Sequence, residues 1–132
     1  MQVEILKQLS VFMPNRPGAL SALAKLFAES GINILGLASE VRDDSGLVRI
    51  AVSEKVDGSG ILSKAGFASV ETNVLAITAP DKPGELHRIT RVLAEGKINI
   101  TTVYGTTSDG QNARVLISVE NVEKARRLLE AA

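Results

Sequence analysis

The chain of 132 residues has no cysteine and no tryptophan, and His87 is its single histidine. Without cysteine, disulfide bonds, thiolate nucleophiles and cysteine-based zinc or iron–sulfur sites are excluded. One histidine leaves little for metal ligation or for a serine–histidine catalytic pair. The sequence therefore predicts no metal site and no cofactor, and it does not favour an enzyme.

Excess charge and long apolar runs are missing as well. Fifteen basic side chains balance fifteen acidic ones, so nothing predicts a general attraction to nucleic acid or to an anionic membrane. No run reaches the roughly 18 apolar residues of a transmembrane helix, and the alternating start MQVEILKQLSVF lacks the apolar core of a signal peptide. These features predict a soluble, cytoplasmic protein.

The most informative positive feature is an internal repeat. When the sequence is shifted by 66 residues, residues 15–34 align with residues 81–100, and eight of the twenty positions are identical. The identities include the pair Pro-Gly near the start of each segment and the triplet Ile-Asn-Ile at its end. The chain is therefore predicted to be a duplication.

Each repeat begins with an alternating strand, Leu9–Met13 or Val74–Ala79, which runs into the Pro-Gly turn. Proline at a first helical position favours a helix after this turn. Apolar residues then recur at helical spacing and match between the repeats: Leu20, Leu23 and Phe27 with Leu86, Ile89 and Leu93. The helices are expected to end at Ser30-Gly31 and Gly96-Lys97, where glycine suits a left-handed cap.

The rest of each repeat reads as two strands and a second helix. The second strands are expected from Ile32 and Ile98, and the hairpin turns at Asp44-Ser45-Gly46 and Ser108-Asp109-Gly110. Third strands follow near residues 47–53 and 113–119, and a shorter helix closes each repeat. This order predicts an α+β fold of two ferredoxin-like βαββαβ units with antiparallel sheets, helices on one face and a pseudo-two-fold relation.

The second repeat ends at Ala132, where its last strand should begin, whereas the first strand starts early, at Gln2. We therefore expect two long strands, about 2–13 and 67–79, that are shared between the units. The units are expected at residues 1–72 and 73–132, with residues 2–6 supplying the last strand of the second. A truncated C-terminus is the alternative explanation.

The segments around Asn15-Arg16-Pro17-Gly18 and Asp81-Lys82-Pro83-Gly84, each followed by a helix and Ile-Asn-Ile, resemble the ACT domain. The resemblance covers essentially the whole chain, as two copies, and is closest to free-standing tandem ACT proteins. It implies a ferredoxin-like fold that pairs with other copies and binds a small ligand, usually an amino acid, at the junction of the copies. ACT domains commonly regulate enzymes of amino-acid metabolism.

The expected ligand site combines the two turns with the residues that follow each helix. A helix N-terminus offers unpaired N–H groups to a carboxylate, glycine allows a close approach, and an asparagine amide both donates and accepts. The candidate residues are Met13, Asn15, Arg16, Gly18, Ala19, Leu20, Asn33 and Ile34 in the first repeat, and Asp81, Gly84, Glu85, Leu86, Asn99 and Ile100 in the second.

Structural roles for the same residues remain open. Asn15 and Asp81 are favoured helix caps, Asn33 and Asn99 can bond a neighbouring turn, and His87 reads as a surface residue. Serine-responsive ACT domains carry a histidine two residues before the turn asparagine, where this chain has Met13. This difference favours a more hydrophobic ligand or none, and the negative charge of Asp81 makes the first turn the better anion site.

The sequence thus predicts a non-catalytic, amino-acid-binding regulatory module that modulates a partner enzyme and can form a homodimer. The alternative is a structural dimerisation or docking module without a metabolite. Acylphosphatase-like catalysis is disfavoured because no nucleophile–base pair is evident. An RNA-binding module is disfavoured because three phenylalanines and one tyrosine are few for base stacking.

Overall fold

The computed structural model describes residues 1–107 and 110–132. In these residues the backbone forms six strands and four helices. The strands are β1 (Gln2–Pro14), β2 (Gly36–Arg42), β3 (Ser45–Ser53), β4 (Ser69–Pro80), β5 (Ile100–Thr107) and β6 (Asn112–Val119). The helices are α1 (Ala19–Glu29), α2 (Gly58–Lys64), α3 (Glu85–Glu95) and α4 (Val122–Glu130).

The chain divides into two compact units. The first unit is Leu6–Thr72, and the second unit joins Met1–Ile5 to Asn73–Ala132. In the first unit the strand order is β2-β3-β1 with the start of β4 beside β1, and in the second it is β5-β6-β4 with the start of β1 beside β4. The predicted βαββαβ arrangement and the two long shared strands are confirmed.

Three rows of paired residues cross the sheet of the first unit. From β1 through β3 to β2 they are Leu9–Ile50–Leu37, Val11–Val48–Ser39 and Met13–Gly46–Val41. Side chains in one row point to the same face, because residues directly opposite each other in neighbouring strands share it. The buried members of these rows form one core with Leu23 and Phe27 of α1 and Leu62 of α2. This face of the sheet is therefore the one that the helices cover.

The second unit repeats the same rows with β4, β6 and β5. They are Leu75–Ile117–Val103, Ile77–Val115–Gly105 and Ala79–Ala113–Thr107. Its core includes Ile89 and Leu93 of α3 and Leu129 of α4. Met1, Val3 and Ile5 pack against this core, so the first residues of the chain complete the unit that contains the last ones.

Both long helices end in the same backbone motif. The N–H of Ile32 donates to the carbonyl of Phe27 at 2.9 Å, and Ile98 bonds Leu93 at the same distance. The left-handed residue that this motif requires is Gly31 in the first unit, with φ 70°, and Lys97 in the second, with φ 59°. The expected glycine cap is correct at Gly31 but wrong at Gly96, because the motif places its left-handed residue one position later.

The same motif delays the second strands. Because residue 32 or 98 is still bonded to the helix end, β2 begins at Gly36 and β5 at Ile100, rather than at Ile32 and Ile98. The first hairpin turn also lies earlier than expected: Arg42 pairs with Ser45, so the turn is Asp43-Asp44, and Asp43 has φ 53°. In the second hairpin, Ser108 and Asp109 of the predicted turn lie outside the described residues.

The short helix α2 confirms the expected second helix of the first repeat, although two of its seven residues are glycines. Asp57 begins it, accepting a hydrogen bond from the N–H of Gly60 at 3.2 Å, which is the usual role of aspartate at an N-cap. Of the helices in the described residues, none has the length and apolar character needed to cross a membrane.

We expect the start of β1 to stabilise the second unit rather than the first. Replacing Val3 and Ile5 together by alanine should lower the free energy of unfolding by about 2 kcal/mol, and native-state hydrogen exchange should show the loss of protection in β6 and α4. Gln2→Ala, at an exposed position of the same strand, is the matched control. Loss of protection confined to α1 and β3 would contradict this assignment.

Lys97 is expected to be replaceable by glycine with a gain in stability. A left-handed conformation costs a residue with a side chain about 1 kcal/mol, and part of this gain is offset by the larger chain entropy of glycine. Lys97→Gly should therefore stabilise the protein by about 0.5 kcal/mol in urea denaturation, whereas Gly31→Ala should destabilise it. A destabilised Lys97→Gly variant would show that the contacts of the lysine side chain stabilise the protein by more than its left-handed backbone costs.

Candidate functional site

The Pro-Gly turn of the first unit is held by the hairpin that joins β2 to β3. Asn15 donates its backbone N–H to the carbonyl of Asp44 at 2.9 Å and its side-chain Nδ2 to the carbonyl of Asp43 at 3.0 Å. Gly18, with φ 85°, is the N-cap of α1, and no side chain caps this helix. The expected capping role of Asn15 is therefore wrong, because its amide reaches the hairpin instead.

The second unit anchors its turn at the same place. Asp81 donates its backbone N–H to the carbonyl of Gln111 at 2.9 Å, and its Oδ2 accepts a hydrogen bond from the Thr107 hydroxyl at 2.6 Å. Gly84, with φ 95°, is the N-cap of α3. The capping role expected for Asp81 is wrong for the same reason, and in both units this position ties the turn to the hairpin.

A groove of about 150 Å³ lies between the first turn, the start of α1 and the hairpin. Its apolar lining consists of Met13, Pro14, Ala19, Leu20, Val41 and Val48, and its other lining residues are Asn15, Arg16, Ser39, Glu40 and Gly46. Leu20 is 45% exposed and Val41 is 56% exposed. Apolar side chains on both rims are thus left in water, at a size that suits a small molecule rather than a drug-sized one.

The charges near the two turns differ. Arg16 is exposed and makes no salt bridge within residues 1–107 and 110–132, and the first turn of α1 carries no acidic residue. At the start of α3 the buried Glu85 meets Lys82 at 3.8 Å and Arg88 at 3.2 Å. The carboxylate of Glu85 thus lies at the positive N-terminus of α3, whereas the first turn of α1 carries no carboxylate.

The structure brings together five of the eight residues predicted in the first repeat. Met13, Asn15, Arg16, Ala19 and Leu20 line the groove, and Gly18 caps α1 beside it.

The other two predicted residues lie elsewhere. Ile34 packs against the core, and the exposed Asn33 is not part of the groove lining. No hydrogen bond of the described residues joins Asn33 or Asn99 to a turn, so the expected bonding of these amides is not observed.

Two of the residues predicted in the second repeat are held by other groups of the protein. Asp81 and Glu85 are engaged in the hydrogen bond and salt bridges described above, and Ile100 packs against the second core. Leu86, at 55% exposure, and Asn99 are exposed, and His87 is exposed as expected. Within the described residues there is no group of three or more His, Asp or Glu placed to hold a metal ion.

Sequence reasoning missed the half of the groove that β2 and β3 supply. The missed residues are Ser39, Glu40, Val41, Gly46 and Val48 of these strands, together with Pro14 at the end of β1. The two-residue turn Asp43-Asp44 was the available signal, because this turn fixes the register and so places Val41 opposite Gly46. The predicted turn at Asp44-Ser45-Gly46 placed Gly46 in the turn rather than in β3, so this pairing was not predicted.

A larger and shallower groove of about 540 Å³ lies near the same hairpin. It includes Phe12, Leu47 and Glu40, which pair in one row across β1, β3 and β2. By strand alternation this row points away from the helices. The lining of this groove does not include the start of α1, and its guanidinium, that of Arg42, shares the lining with the carboxyl-bearing residues Glu40 and Asp44.

Comparison with known proteins agrees with this architecture. The family model described as ACT domain pair matches residues 4–131. No curated protein matches the chain in sequence. The crystal structure of protein BT0572 from Bacteroides thetaiotaomicron is 28% identical, with a TM-score of 0.86 over 98% of this chain and 89% of that one.

Two further structures are similar in fold. The ligand-free regulatory subunit of aspartate kinase from Thermus thermophilus has a TM-score of 0.72 at 16% identity, covering 99% of this chain and 97% of that one. The regulatory subunit from Thermus flavus has a TM-score of 0.66 at 16% identity, covering 99% and 96%. The duplicated βαββαβ units, the paired Pro-Gly turns and the family match over residues 4–131 together place this chain in the ACT domain pair family.

Proposed function

We propose that the chain is a non-catalytic regulatory module that binds a free amino acid in the groove of the first unit and thereby modulates a partner enzyme of amino-acid metabolism. The observation that carries this proposal is the groove of about 150 Å³ between the Pro-Gly turn and the hairpin, which is lined by Arg16. Arg16 makes no salt bridge with any residue that the structure describes. The similarity in fold to regulatory subunits of aspartate kinase supports a regulatory role and leaves the ligand open.

The polar end of an amino acid has a place at the turn. The first N–H groups of α1 have no acceptor within the helix, and the helix dipole favours an anion there. Arg16 adds a full positive charge that no salt bridge of the described residues neutralises, and its guanidinium suits a carboxylate geometrically.

Binding would act on the hairpin as well as on the turn. The groove is walled by α1 on one side and by β2 and β3 on the other, and Asn15 already bonds the turn to residues 43 and 44. A ligand that contacts both walls favours the conformation in which they are held together. Because β2 is the outer strand of the first unit, its edge is where a partner enzyme or a second copy of the chain would sense this change.

One observation favours the alternative of a docking module without a metabolite. Leu37 on β2 is 45% exposed, and Val103, at the matching position of β5, is 53% exposed. Apolar side chains at matching positions of two outer strands suit pairing with another protein or with a second copy. This arrangement needs no ligand, so it is separated from the first proposal by whether an amino acid binds.

A thermal-shift screen of the twenty amino acids at millimolar concentration tests the proposal. An amino acid present at a hundred times its Kd should stabilise the chain by about 2.7 kcal/mol, a rise in Tm of several degrees. Arg16→Gln should weaken the binding of that amino acid about tenfold by isothermal titration calorimetry, because it removes the charge that faces the carboxylate.

Lys82→Gln is the matched control, since Lys82 aligns with Arg16 and already pairs with Glu85 at 3.8 Å. It should leave the affinity unchanged. A screen without any shift would support the docking module instead, and equal losses in Arg16→Gln and Lys82→Gln would contradict the preference for the first turn.

A further inference from the structure

The floor of the groove is a residue without a side chain. Gly46 of β3 lies between Met13 of β1 and Val41 of β2 in one row of the sheet. A methyl group added at Gly46 would lie 3.5 Å from the carbonyl oxygens of Met13 and Glu40 and 3.8 Å from Cγ2 of Val41. These are ordinary van der Waals distances, so the backbone tolerates a side chain here. Such a side chain would occupy the groove itself.

No turn or backbone constraint accounts for this glycine. Gly46 is not among the residues of positive φ, and it lies inside β3, where glycine is less favourable than residues with a side chain. Glycine within a strand often marks a site where a ligand approaches the backbone closely. Gly46 therefore costs the strand stability and leaves the groove open.

The second unit supplies the comparison, because its corresponding row is filled. Ala113 stands where the first unit has Gly46, and Thr107 stands where it has Val41. The Thr107 hydroxyl is bonded to Asp81 at 2.6 Å. The duplicated scaffold thus carries a methyl group and a hydrogen bond at the place that the first unit leaves empty.

The walls around Gly46 are mainly aliphatic. Val41 and Leu20 are exposed at the rims, Met13 and Val48 are buried beneath them, and none of these side chains forms hydrogen bonds at neutral pH other than weakly through the methionine sulfur. Glu40 contributes its backbone, because its side chain belongs to the opposite face of the sheet and pairs with Arg49 at 3.8 Å. Ser39, which pairs with Val48 in the next row, brings a hydroxyl to this lining. A polar ligand side chain over Gly46 would therefore replace few of the hydrogen bonds that it makes with water.

We propose that Gly46 is the specificity-determining residue of this groove, and that it selects a branched aliphatic amino acid of the size of valine, leucine or isoleucine. This inference rests on the proposed function. The ligand carboxylate lies at the start of α1 beside Arg16, and its side chain lies over the bare Cα of Gly46, between Leu20 and Val41.

The experiment compares wild type with Gly46→Ala and Gly46→Val by calorimetry against glycine, alanine, valine, leucine, isoleucine, phenylalanine, serine, aspartate and lysine. Wild type should bind valine, leucine or isoleucine most tightly. Gly46→Ala should weaken leucine and isoleucine at least tenfold and alanine much less. Gly46→Val should remove measurable binding, while its Tm without ligand stays equal or rises, because valine suits a strand better than glycine does.

Ala113→Gly is the matched control and should leave the order of affinities unchanged. In this variant the hydrogen bond between Thr107 and Asp81 still occupies the part of the second unit that corresponds to the groove. If wild type binds a polar or charged amino acid best, or if Gly46→Ala keeps the wild-type order, the role of Gly46 is refuted while the proposed function stands. If wild type binds none of these nine, and none of the other eleven in the thermal-shift screen, both proposals are refuted. If the Tm of Gly46→Val is lower than that of wild type, the affinities of Gly46→Ala alone decide the test.

Discussion

Strand β1 contributes side chains to both hydrophobic cores, and these contacts fix its register against the neighbouring strands. Its odd-numbered residues pack against the second core near the start of the strand and against the first core near its end. A slip of one residue would turn all of these side chains to the other face, so each core fixes the register that the other needs. The Pro-Gly turn begins where β1 ends, at Pro14, and the position of the groove follows from that register.

The two units keep one backbone plan but differ in chemistry. In both, a left-handed glycine starts the helix and the residue before the turn bonds the hairpin. In the second unit Glu85 places a carboxylate at the start of α3, and Asp81 accepts a hydrogen bond from Thr107 of the hairpin. The first unit has Asn15 and Arg16 at these places, and none of the acidic residues that the structure describes forms a salt bridge with Arg16. The ligand binding that we propose therefore depends on this difference in side chains and not on the fold that the two units share.

Much of the fold follows from the sequence because it depends on periodicity, which is local. The duplication, the helix faces and the long strands could be predicted from apolar spacing, and the early start at Gln2 indicated the shared strands. The starts of the second strands and the first hairpin turn were misplaced by one to four residues, because single hydrogen bonds such as that from Ile32 to Phe27 decide them. The role of Gly46 could not be predicted, since it depends on which residue of β2 pairs with it.

The division of the chain into units has a consequence for its synthesis. The first unit is one continuous segment, Leu6–Thr72, so all of its residues have left the ribosome while the second half is still being made. The second unit also needs Met1–Ile5, which emerge before the first unit does, and these must wait for residues 73–132. During that interval Val3 and Ile5 are without their partners in the second core. Glu4 between them and Lys7 nearby are the charges that protect such an unpaired strand from aggregation.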